Sequence, residues 1–325
     1  KDMLGPGLDF PDMFGASAPQ TNNARMRNRG WELSLNWRGK IGNDINYSVG
    51  GSLSDATAEV TEYANPTGTN PAGNWYVGRK VGEIWGYRAE GIIQTQAEAD
   101  EYNKYDLSYL SGKAWEPGDV KYVDLNGDKA INRGKNTLED MGDMTIIGNT
   151  TPRYQYTFNG SISWKDLSLS MMFQGVGKRD WDPGTAPYFW GSGAYAQVTV
   201  FNEHMDYWRE DNPNAYYPKP YIHSAGGVTP FRNKIMQTSD RYLQSGAYCR
   251  LKNITLSYNL PSSWTQRVGL QKVQVFFSGE NLLTFTSLKG MFDPEAIFTG
   301  NSYTGEGGKN YPMNKVVSFG LVVNL

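Results

Sequence analysis

The sequence predicts an all-β fold, a transmembrane antiparallel β-barrel to which this chain contributes about seven strands. Several segments alternate apolar and small polar residues, as strands do when their two faces meet different surroundings. These segments are long, and the connections between them are alternately short and long. Aromatic residues form 14% of the chain and 37 residues are glycine, a composition that favours strands and loops over helices.

Composition also excludes several functional classes. The net charge is −2 and no basic cluster stands out, so we expect no nucleic-acid partner. No stretch approaches the roughly 20 apolar residues of a membrane helix. Cys249, His204 and His223 lack the spacing of zinc ligands and are interpreted as structural. Because catalytic Ser-His-Asp and Cys-His spacings are also absent from the sequence, we predict that the chain is not an enzyme.

The first three predicted strands have the clearest apolar faces. Residues 31–38 place Trp or Leu at every second position, and residues 44–53 and 154–164 alternate in the same way. Trp or Tyr stands at both ends of the first and third strands, as in the aromatic girdles of membrane barrels. A soluble sandwich strand also alternates. Length favours the membrane, since a tilted spanning strand needs roughly 9–11 residues whereas soluble strands have about 5–6.

The remaining four predicted strands also alternate apolar and polar residues, two of them less regularly. Residues 167–177 and 272–285 alternate less sharply. Residues 252–260 alternate Ile, Leu and Tyr with Asn, Thr and Ser, and residues 317–325 place an apolar residue at every second position to the end of the sequence. These patterns complete the predicted set of strands.

The final strand carries a candidate assembly signal. Gly320, Val323 and Leu325 resemble the C-terminal signal of outer-membrane proteins, although aromatic residues are usual where Val323 and Leu325 stand here. The alternative is an ordinary strand at the end of the chain.

Connection lengths give the direction of the strands. Residues 39–43 and 165–166 are short connections, whereas 55–151 and 178–247 are long. Because membrane barrels have short periplasmic turns and long extracellular loops, we predict that 55–151 and 178–247 are extracellular. The strand-like segment 84–93 falls within the first of these loops, so we expect it outside the barrel wall. At least about eight strands are needed to close a barrel, so we expect the rest of the barrel outside this segment.

Several motifs occur in a characteristic order along the chain. Residues 28–33 read Asn-Arg-Gly-Trp-Glu-Leu, and residues 118–128 begin Gly-Asp-Val-Lys-Tyr. Residues 208–218 contain Trp followed by Asn-Pro-Asn-Ala, residues 248–261 end in Ser-Tyr-Asn-Leu-Pro, and residues 293–295 read Asp-Pro-Glu. Together they resemble the SusC/RagA family of TonB-linked transporters of the Gram-negative outer membrane.

This resemblance implies a barrel of about 22 strands with an N-terminal plug. It also implies a SusD-like surface lipoprotein as partner and TonB as the source of energy, acting through a plug and TonB box that lie outside this segment. We therefore expect TonB-dependent import of oligosaccharides. The alternatives are a transporter of the same type that carries oligopeptides, and a passive porin or structural surface barrel.

An acidic loop is a candidate calcium site. Its oxygen-bearing positions have nearly the spacing of an EF-hand loop, but Lys129 replaces the usual turn glycine and Lys135 replaces the closing acid. A metal-free turn held by hydrogen bonds is an equal alternative. The candidate ligands are Asp124, Asn126, Asp128, Ala130 through its carbonyl oxygen, and Asn132.

The long loops are rich in aromatic residues, which can stack on sugars or pack against a partner protein. For any single ring, the alternative is packing of the loops against each other. The candidates for contact with cargo or lipoprotein are Trp181, Tyr188, Trp190 and Tyr195.

Overall fold

The computed structural model describes residues 3–5, 13, 15, 19–184, 186–191, 200–221, 233–297 and 310–324. Among these residues no helix is long and apolar enough to pass through a membrane. In chain order the strands and helices are β1 (Met3–Gly5), β2 (Thr21–Ile41), β3 (Ile45–Glu62), β4 (Glu83–Tyr87), β5 (Ala89–Ile92), α1 (Gln96–Tyr102), β6 (Val120–Tyr122), β7 (Met144–Asn149), β8 (Arg153–Trp164), β9 (Leu167–Lys178), β10 (Asp180–Trp181), α2 (Pro187–Trp190), β11 (Gln244–Ser245), β12 (Tyr248–Asn259), α3 (Ser262–Thr265), β13 (Lys272–Thr286) and β14 (Val316–Asn324).

The largest element is an eight-stranded antiparallel sheet in the order β1-β2-β3-β8-β9-β12-β13-β14. All strands predicted by alternation are present in it, and β1 is one further short strand. Tight turns join β2 to β3 and β8 to β9, whereas long excursions separate β3 from β8 and β9 from β12. The prediction of a predominantly β, antiparallel fold is therefore confirmed.

Two strands run further than the sequence pattern predicts. β2 begins at Thr21, and β3 continues to Glu62, so residues 55–62 belong to a strand although they were predicted as loop. Alternation of apolar residues marks only the part of a strand that has one apolar face. Backbone pairing continues above that part, where Arg27 lies opposite Glu59, and the pattern there gives no apolar signal.

The register brings the apolar faces of the strands to one side of the sheet. Leu33 lies opposite Leu53, which lies opposite Tyr156 on the next strand. At the other edge Phe277 lies opposite Phe319, with the two rings 5.3 Å apart between centroids. Tyr156 and Phe277 are half-buried, whereas Leu33 and Phe319 are 51% and 81% exposed. An apolar face this large and continuous requires a non-aqueous neighbour.

The excursions between strands form a separate packed region with its own core. β4 pairs with β7, β5 with β6 and β10 with β11, all outside the eight-stranded sheet. The segment 84–93 therefore lies outside the main sheet, as the connection lengths predict. Aromatic rings fill the core of this region, including the fully buried Trp115, Tyr122 and Phe189.

Candidate transport surface

The face of the sheet opposite the apolar one is lined with hydroxyl groups. Strand register places one small hydroxyl side chain from each of six adjacent strands directly opposite the next, and Arg38 stands at the β2 end of this line. Alternate residues of a strand share a face, so all of them lie on the polar side. We call this set the hydroxyl row: Ser48, Ser161, Ser170, Thr255, Ser278 and Ser318.

A concave space of about 530 Å³ lies against four strands of the hydroxyl row. Its lining adds Asn46, Ser163, Ser168 and Ser257 to the row, with Arg38 and Lys40 as charged groups. Hydroxyl and amide groups both donate and accept hydrogen bonds, so this surface suits polar solutes better than apolar ones.

Two of the predicted aromatic contact residues lie in the interior of the loop region. Trp181 and Trp190 are 3% and 6% exposed. Trp181 packs edge-on against Phe292 at 4.8 Å between centroids, and the Trp190 Nε1–H donates to the Gly184 carbonyl at 2.8 Å. These two rings hold the loops together, because a large aromatic side chain contributes most where it is fully buried.

Tyr188 is half-buried beside the same core, and Tyr195 lies outside the described residues. Contact of this region with cargo or lipoprotein stays a prediction, and any such contact must use groups other than the buried Trp181 and Trp190 rings. The burial of these rings depends on segments distant in sequence, so composition did not reveal it.

A buried ion pair connects two parts of the loop region. The Lys234 ammonium lies 2.6 Å from Asp119 Oδ2, and both side chains are fully buried. Lys234 also donates to the Ala114 carbonyl at 2.8 Å, and the Tyr221 hydroxyl donates to the other Asp119 oxygen. Burial raises the pKa of the Asp119 carboxyl despite its cationic neighbour. Asp119 belongs to one of the family-like motifs, and the structure explains it as a packing residue of the loops.

A second charged cluster fixes the excursion after β13 to the sheet. Arg250 on β12 is almost fully buried and contacts Asp293 at 2.8 Å and Glu295 at 3.1 Å. Lys252 contacts the same glutamate at 3.0 Å. The Asp-Pro-Glu motif thus supplies both carboxylates that neutralise a buried guanidinium, as buried charges require.

The acidic loop is closed by hydrogen bonds within the chain. The Asp124 carboxylate accepts from the Gly127 and Lys129 backbone amides at 2.7 and 2.9 Å. Asp128 accepts from the Ala130 amide at 2.8 Å, and Asn126 accepts from the Asp128 amide at 3.1 Å. These bonds satisfy the side chains without a metal. A carboxylate oxygen that accepts a hydrogen bond from a backbone amide keeps a further lone pair. The oxygen atoms of this loop therefore still fit a cation, and calcium binding stays a prediction.

Asp143 is the member of this loop that sequence reasoning missed. Its side chain is fully buried and accepts from the Leu125 and Asn132 amides, each at 2.8 Å, which ties both ends of the loop together. Burial raises the pKa of the Asp143 carboxyl, and the charges of Asp124 and Asp128 act in the same direction. Within the described ranges, no three His, Cys, Asp or Glu residues are grouped as metal ligands.

His204 and Cys249 occupy ordinary packing positions. His204 is buried with its Nε2 atom 3.0 Å from the Tyr188 carbonyl oxygen. Cys249 is a free thiol, half-buried on β12. His223 lies outside the described residues.

The candidate assembly signal lies on the edge strand β14. Gly320 and Val323 belong to this strand, and Leu325 lies outside the described residues. Gly320 stands opposite Phe276, and a Cβ atom at this position would lie 2.2 Å from the Phe276 ring. Gly320 therefore has a packing role of its own, and a role in assembly stays a prediction.

Comparison with known proteins supports the resemblance drawn from the motifs. TonB-dependent receptor P3 of Formosa agariphila is 28% identical over 341 residues, which covers 99% of this chain and 31% of the relative. TonB-dependent receptor P26 of the same organism is 25% identical over 331 residues, covering 97% of this chain and 31% of the relative. No protein-family model matches the chain.

Solved structures show the same fold. A structure titled as the RagAB peptide transporter matches with a TM-score of 0.63 and 23% identity, covering 99% of this chain and 32% of that one. The open-open state of the RagAB peptide importer matches with a TM-score of 0.64 and 22% identity, covering 100% and 31%. This chain therefore spans about a third of the length of the relatives it matches. The predicted resemblance to SusC/RagA-type TonB-dependent receptors is confirmed, and these relatives are receptors and transporters rather than enzymes.

Proposed function

From its similarity to TonB-dependent receptors, we propose that this chain is part of the wall and outer loops of an importer in the Gram-negative outer membrane. The importer takes up oligosaccharides together with a SusD-like lipoprotein, and TonB supplies the energy through a part of the protein outside this segment. The observation that carries the proposal is the two-faced sheet, which is apolar and exposed on one side and lined by the hydroxyl row on the other.

Each face has a distinct task in this proposal. The apolar face meets lipid, where side chains such as Trp37 and Phe319, 69% and 81% exposed, lose contact with water. The polar face borders the water-filled interior. The packed excursions stand above the sheet as a rigid rim, because their buried ion pairs and aromatic core hold the loops in one arrangement.

Oligosaccharide is the first candidate cargo because the hydroxyl row and the cavity beside it are rich in groups that both donate and accept hydrogen bonds. Oligopeptide is the second candidate, and it is favoured by the similar fold of the RagAB peptide transporter. A passive porin or structural surface barrel is the alternative from a different class.

Uptake measurements separate these candidates. A strain lacking the receptor is complemented with the intact receptor that contains this chain, and labelled oligosaccharide and oligopeptide of matched length are supplied with and without TonB. We expect saturable uptake of the oligosaccharide that disappears without TonB. Uptake of the peptide alone would replace the first cargo with the second, and unsaturable uptake without TonB would identify a porin.

A variant of the polar face tests the role of the hydroxyl row. Ser161→Val with Ser170→Val removes two adjacent hydroxyls and keeps side chains that suit strands. If each of the two hydroxyls makes one hydrogen bond to cargo, worth about 1 kcal/mol, apparent affinity falls roughly 30-fold. The matched control, Ser108→Val with Ser263→Val, changes two exposed residues outside the sheet and should leave uptake unaltered. Equal uptake by both double variants would contradict a role of the row.

A further inference from the structure

A partly enclosed cavity of about 380 Å³ lies within the loop region. Residues of β4 form one wall, and residues from the segments around Arg133, Asp182 and Thr238 form the others. None of the described residues that line it belongs to the eight-stranded sheet. Proteins hold small molecules in cavities of roughly 300–1,000 Å³, so this one, called the loop cavity, has room for a ligand larger than a single water.

The loop cavity contains a guanidinium without a carboxylate partner. Arg133 lines the cavity and is half-buried. It forms no ion pair with any residue that the structure describes. Its guanidinium carbon lies 6.0 Å from the centre of the Tyr109 ring. A half-buried cation has lost part of its hydration, so a molecule that supplies hydrogen-bond acceptors would stabilise it.

Two carboxylates line the same cavity, and each accepts hydrogen bonds from neutral donors. Glu83 accepts from the Tyr76 hydroxyl at 2.6 Å. Asp182 accepts from the Gly184 amide at 3.0 Å and from the Thr238 hydroxyl at 2.8 Å. Neutral donors do not cancel the negative charges, and a carboxylate oxygen that accepts one hydrogen bond keeps a further lone pair. The loop cavity therefore offers strong acceptors as well as a strong donor.

Three donor atoms at the cavity wall lack an acceptor. Trp85 Nε1, the Tyr87 hydroxyl and Arg133 Nε make no hydrogen bond within the described part of the chain, and all three residues line the cavity. Tyr87 is 1% exposed. Burial raises the pKa of the Tyr87 hydroxyl, and the nearby charge of Arg133 acts in the opposite direction. Because buried polar atoms are almost always hydrogen-bonded, this cluster indicates a place that a bound molecule completes.

The loop cavity adjoins the polar face of the sheet. Glu83 also lines a second groove of about 500 Å³, whose other walls include Arg153 and Lys178. Alternation along β9 places Lys178 on the same face as Ser170 of the hydroxyl row. The groove thus connects the loop cavity with the face that borders the interior of the proposed importer.

We infer that the loop cavity binds one neutral sugar unit of the cargo. This inference rests on the proposed import of oligosaccharide. Neighbouring hydroxyl groups of a sugar can accept from Arg133 and donate to Glu83 and Asp182 at the same time, since each hydroxyl both donates and accepts. The half-buried Trp85 ring supplies an apolar surface for the C–H face of the sugar.

The charges of the cavity favour a neutral sugar over an acidic one and over a peptide end. Two carboxylates and one guanidinium line it, so an acidic sugar would be repelled. A peptide N-terminus would match the carboxylates and leave Arg133 without an acceptor, whereas a C-terminus would match Arg133 and be repelled by Glu83 and Asp182. Hydroxyl groups satisfy charges of both signs without adding a third.

Equilibrium dialysis of the intact receptor containing this chain tests the inference. The probes are short neutral oligosaccharides from starch, galactan, mannan and xylan, acidic oligosaccharides of the same length from polygalacturonic acid, and a pool of oligopeptides. We expect the receptor to retain at least one neutral oligosaccharide and to retain the acidic ones and the peptides less well. Arg133→Met and Asp182→Asn should each weaken its binding about tenfold or more, because each removes a hydrogen bond to a charged group.

Stability measurements separate a binding role of Arg133 from a structural one. Because Arg133 has no ion-pair partner among the described residues, Arg133→Met should leave the thermal unfolding temperature unchanged or raise it. Arg133→Lys should recover part of the binding, since an ammonium still donates. The matched control is Arg88→Met, which removes an exposed arginine of the loop region outside the cavity lining and should leave binding unaltered.

Three results would overturn the inference: retention of no neutral oligosaccharide, equal affinity in the unmodified receptor and both cavity variants, or Arg133-dependent retention of acidic oligosaccharides or peptides in preference to neutral ones. Equal affinity together with saturable, TonB-dependent uptake of oligosaccharide would contradict only the site. Uptake of peptide alone would contradict the first cargo of the proposed function as well.

Discussion

Replacement of Lys234 by Met is the sharpest test of how the loop region is held together. The substitution keeps the length and apolar stem of the side chain and removes its charge. Asp119 then stays fully buried and loses its ammonium partner at 2.6 Å. Removing one member of a buried ion pair typically costs about 3–5 kcal/mol, because the remaining charge is neither hydrated nor neutralised.

A second ion pair nearby in the loop region supplies the control. Lys219 lies 2.8 Å from Glu116, with side-chain exposures of 37% and 48%. Exposed pairs contribute about 0–1 kcal/mol, since water and salt screen both charges. Lys219→Met should therefore destabilise the loop region far less than Lys234→Met, although the two pairs differ little in distance.

Hydrogen exchange measures the difference locally. The Ile93 amide donates to the Asp119 carbonyl at 2.9 Å and reports opening of this region. In Lys234→Met we expect exchange at Ile93 to accelerate roughly 100-fold or more, and in Lys219→Met by no more than about fivefold. Combining Lys234→Met with Asp119→Leu should exchange more slowly than Lys234→Met alone, because no charge is then buried.

The loss of stability in Lys234→Met should depend on pH in a definite direction. Burial raises the pKa of Asp119, so the folded state binds a proton more tightly than the unfolded state does. The folded state therefore gains stability as pH falls through the folded-state pKa, and the defect of Lys234→Met should shrink at lower pH. Equal exchange rates in Lys234→Met and Lys219→Met, or a defect that grows as pH falls, would refute this account of the buried pair.

Three further predictions concern the sheet, the acidic loop and the second charged cluster. Gly320→Ala places a Cβ atom 2.2 Å from the Phe276 ring and should reduce the fraction of assembled protein, measured by heat-modifiability gels. Gly160→Ala is the control and should assemble normally, because a Cβ atom there has its nearest contacts at 3.9 Å. Burial raises the pKa of the Asp143 carboxyl, so the folded loop should become more stable as pH falls through that pKa. Thermal unfolding of Asp143→Asn should depend less on pH than that of the unmodified protein. Arg250→Met leaves the Asp293 carboxylate without a cationic partner and Glu295 with Lys252 alone, so exchange in the segment after β13 should accelerate roughly 100-fold. An unchanged rate would show that the cluster contributes little.

The apolar parts of the strands could be predicted because their signal is local. A strand between lipid and water must alternate apolar and polar side chains. Eight consecutive residues, such as 31–38, are enough to show this alternation. Charged upper parts of the same strands give no such signal. The sequence pattern therefore predicts a loop at residues 55–62, although their backbone continues the strand pairing.

The side chains of the candidate site were less predictable. Trp181 and Trp190 look like contact residues by composition, yet they are buried by segments far away in the chain. Asp143 closes the acidic loop from outside the motif that identified it. Neither result follows from residue type or spacing alone.

The strands, the alternation of short and long connections and the resemblance to a known receptor family could be predicted from the sequence, because side-chain alternation, connection length and motif order are properties of the chain. The direction of the strands across a membrane stays a prediction. Which polar residues contact one another depends on the tertiary structure. The hydroxyl row depends on the register of six strands. Lys234 reaches Asp119 across 115 residues. Register and burial arise from pairing between distant segments, and no local pattern contains that information.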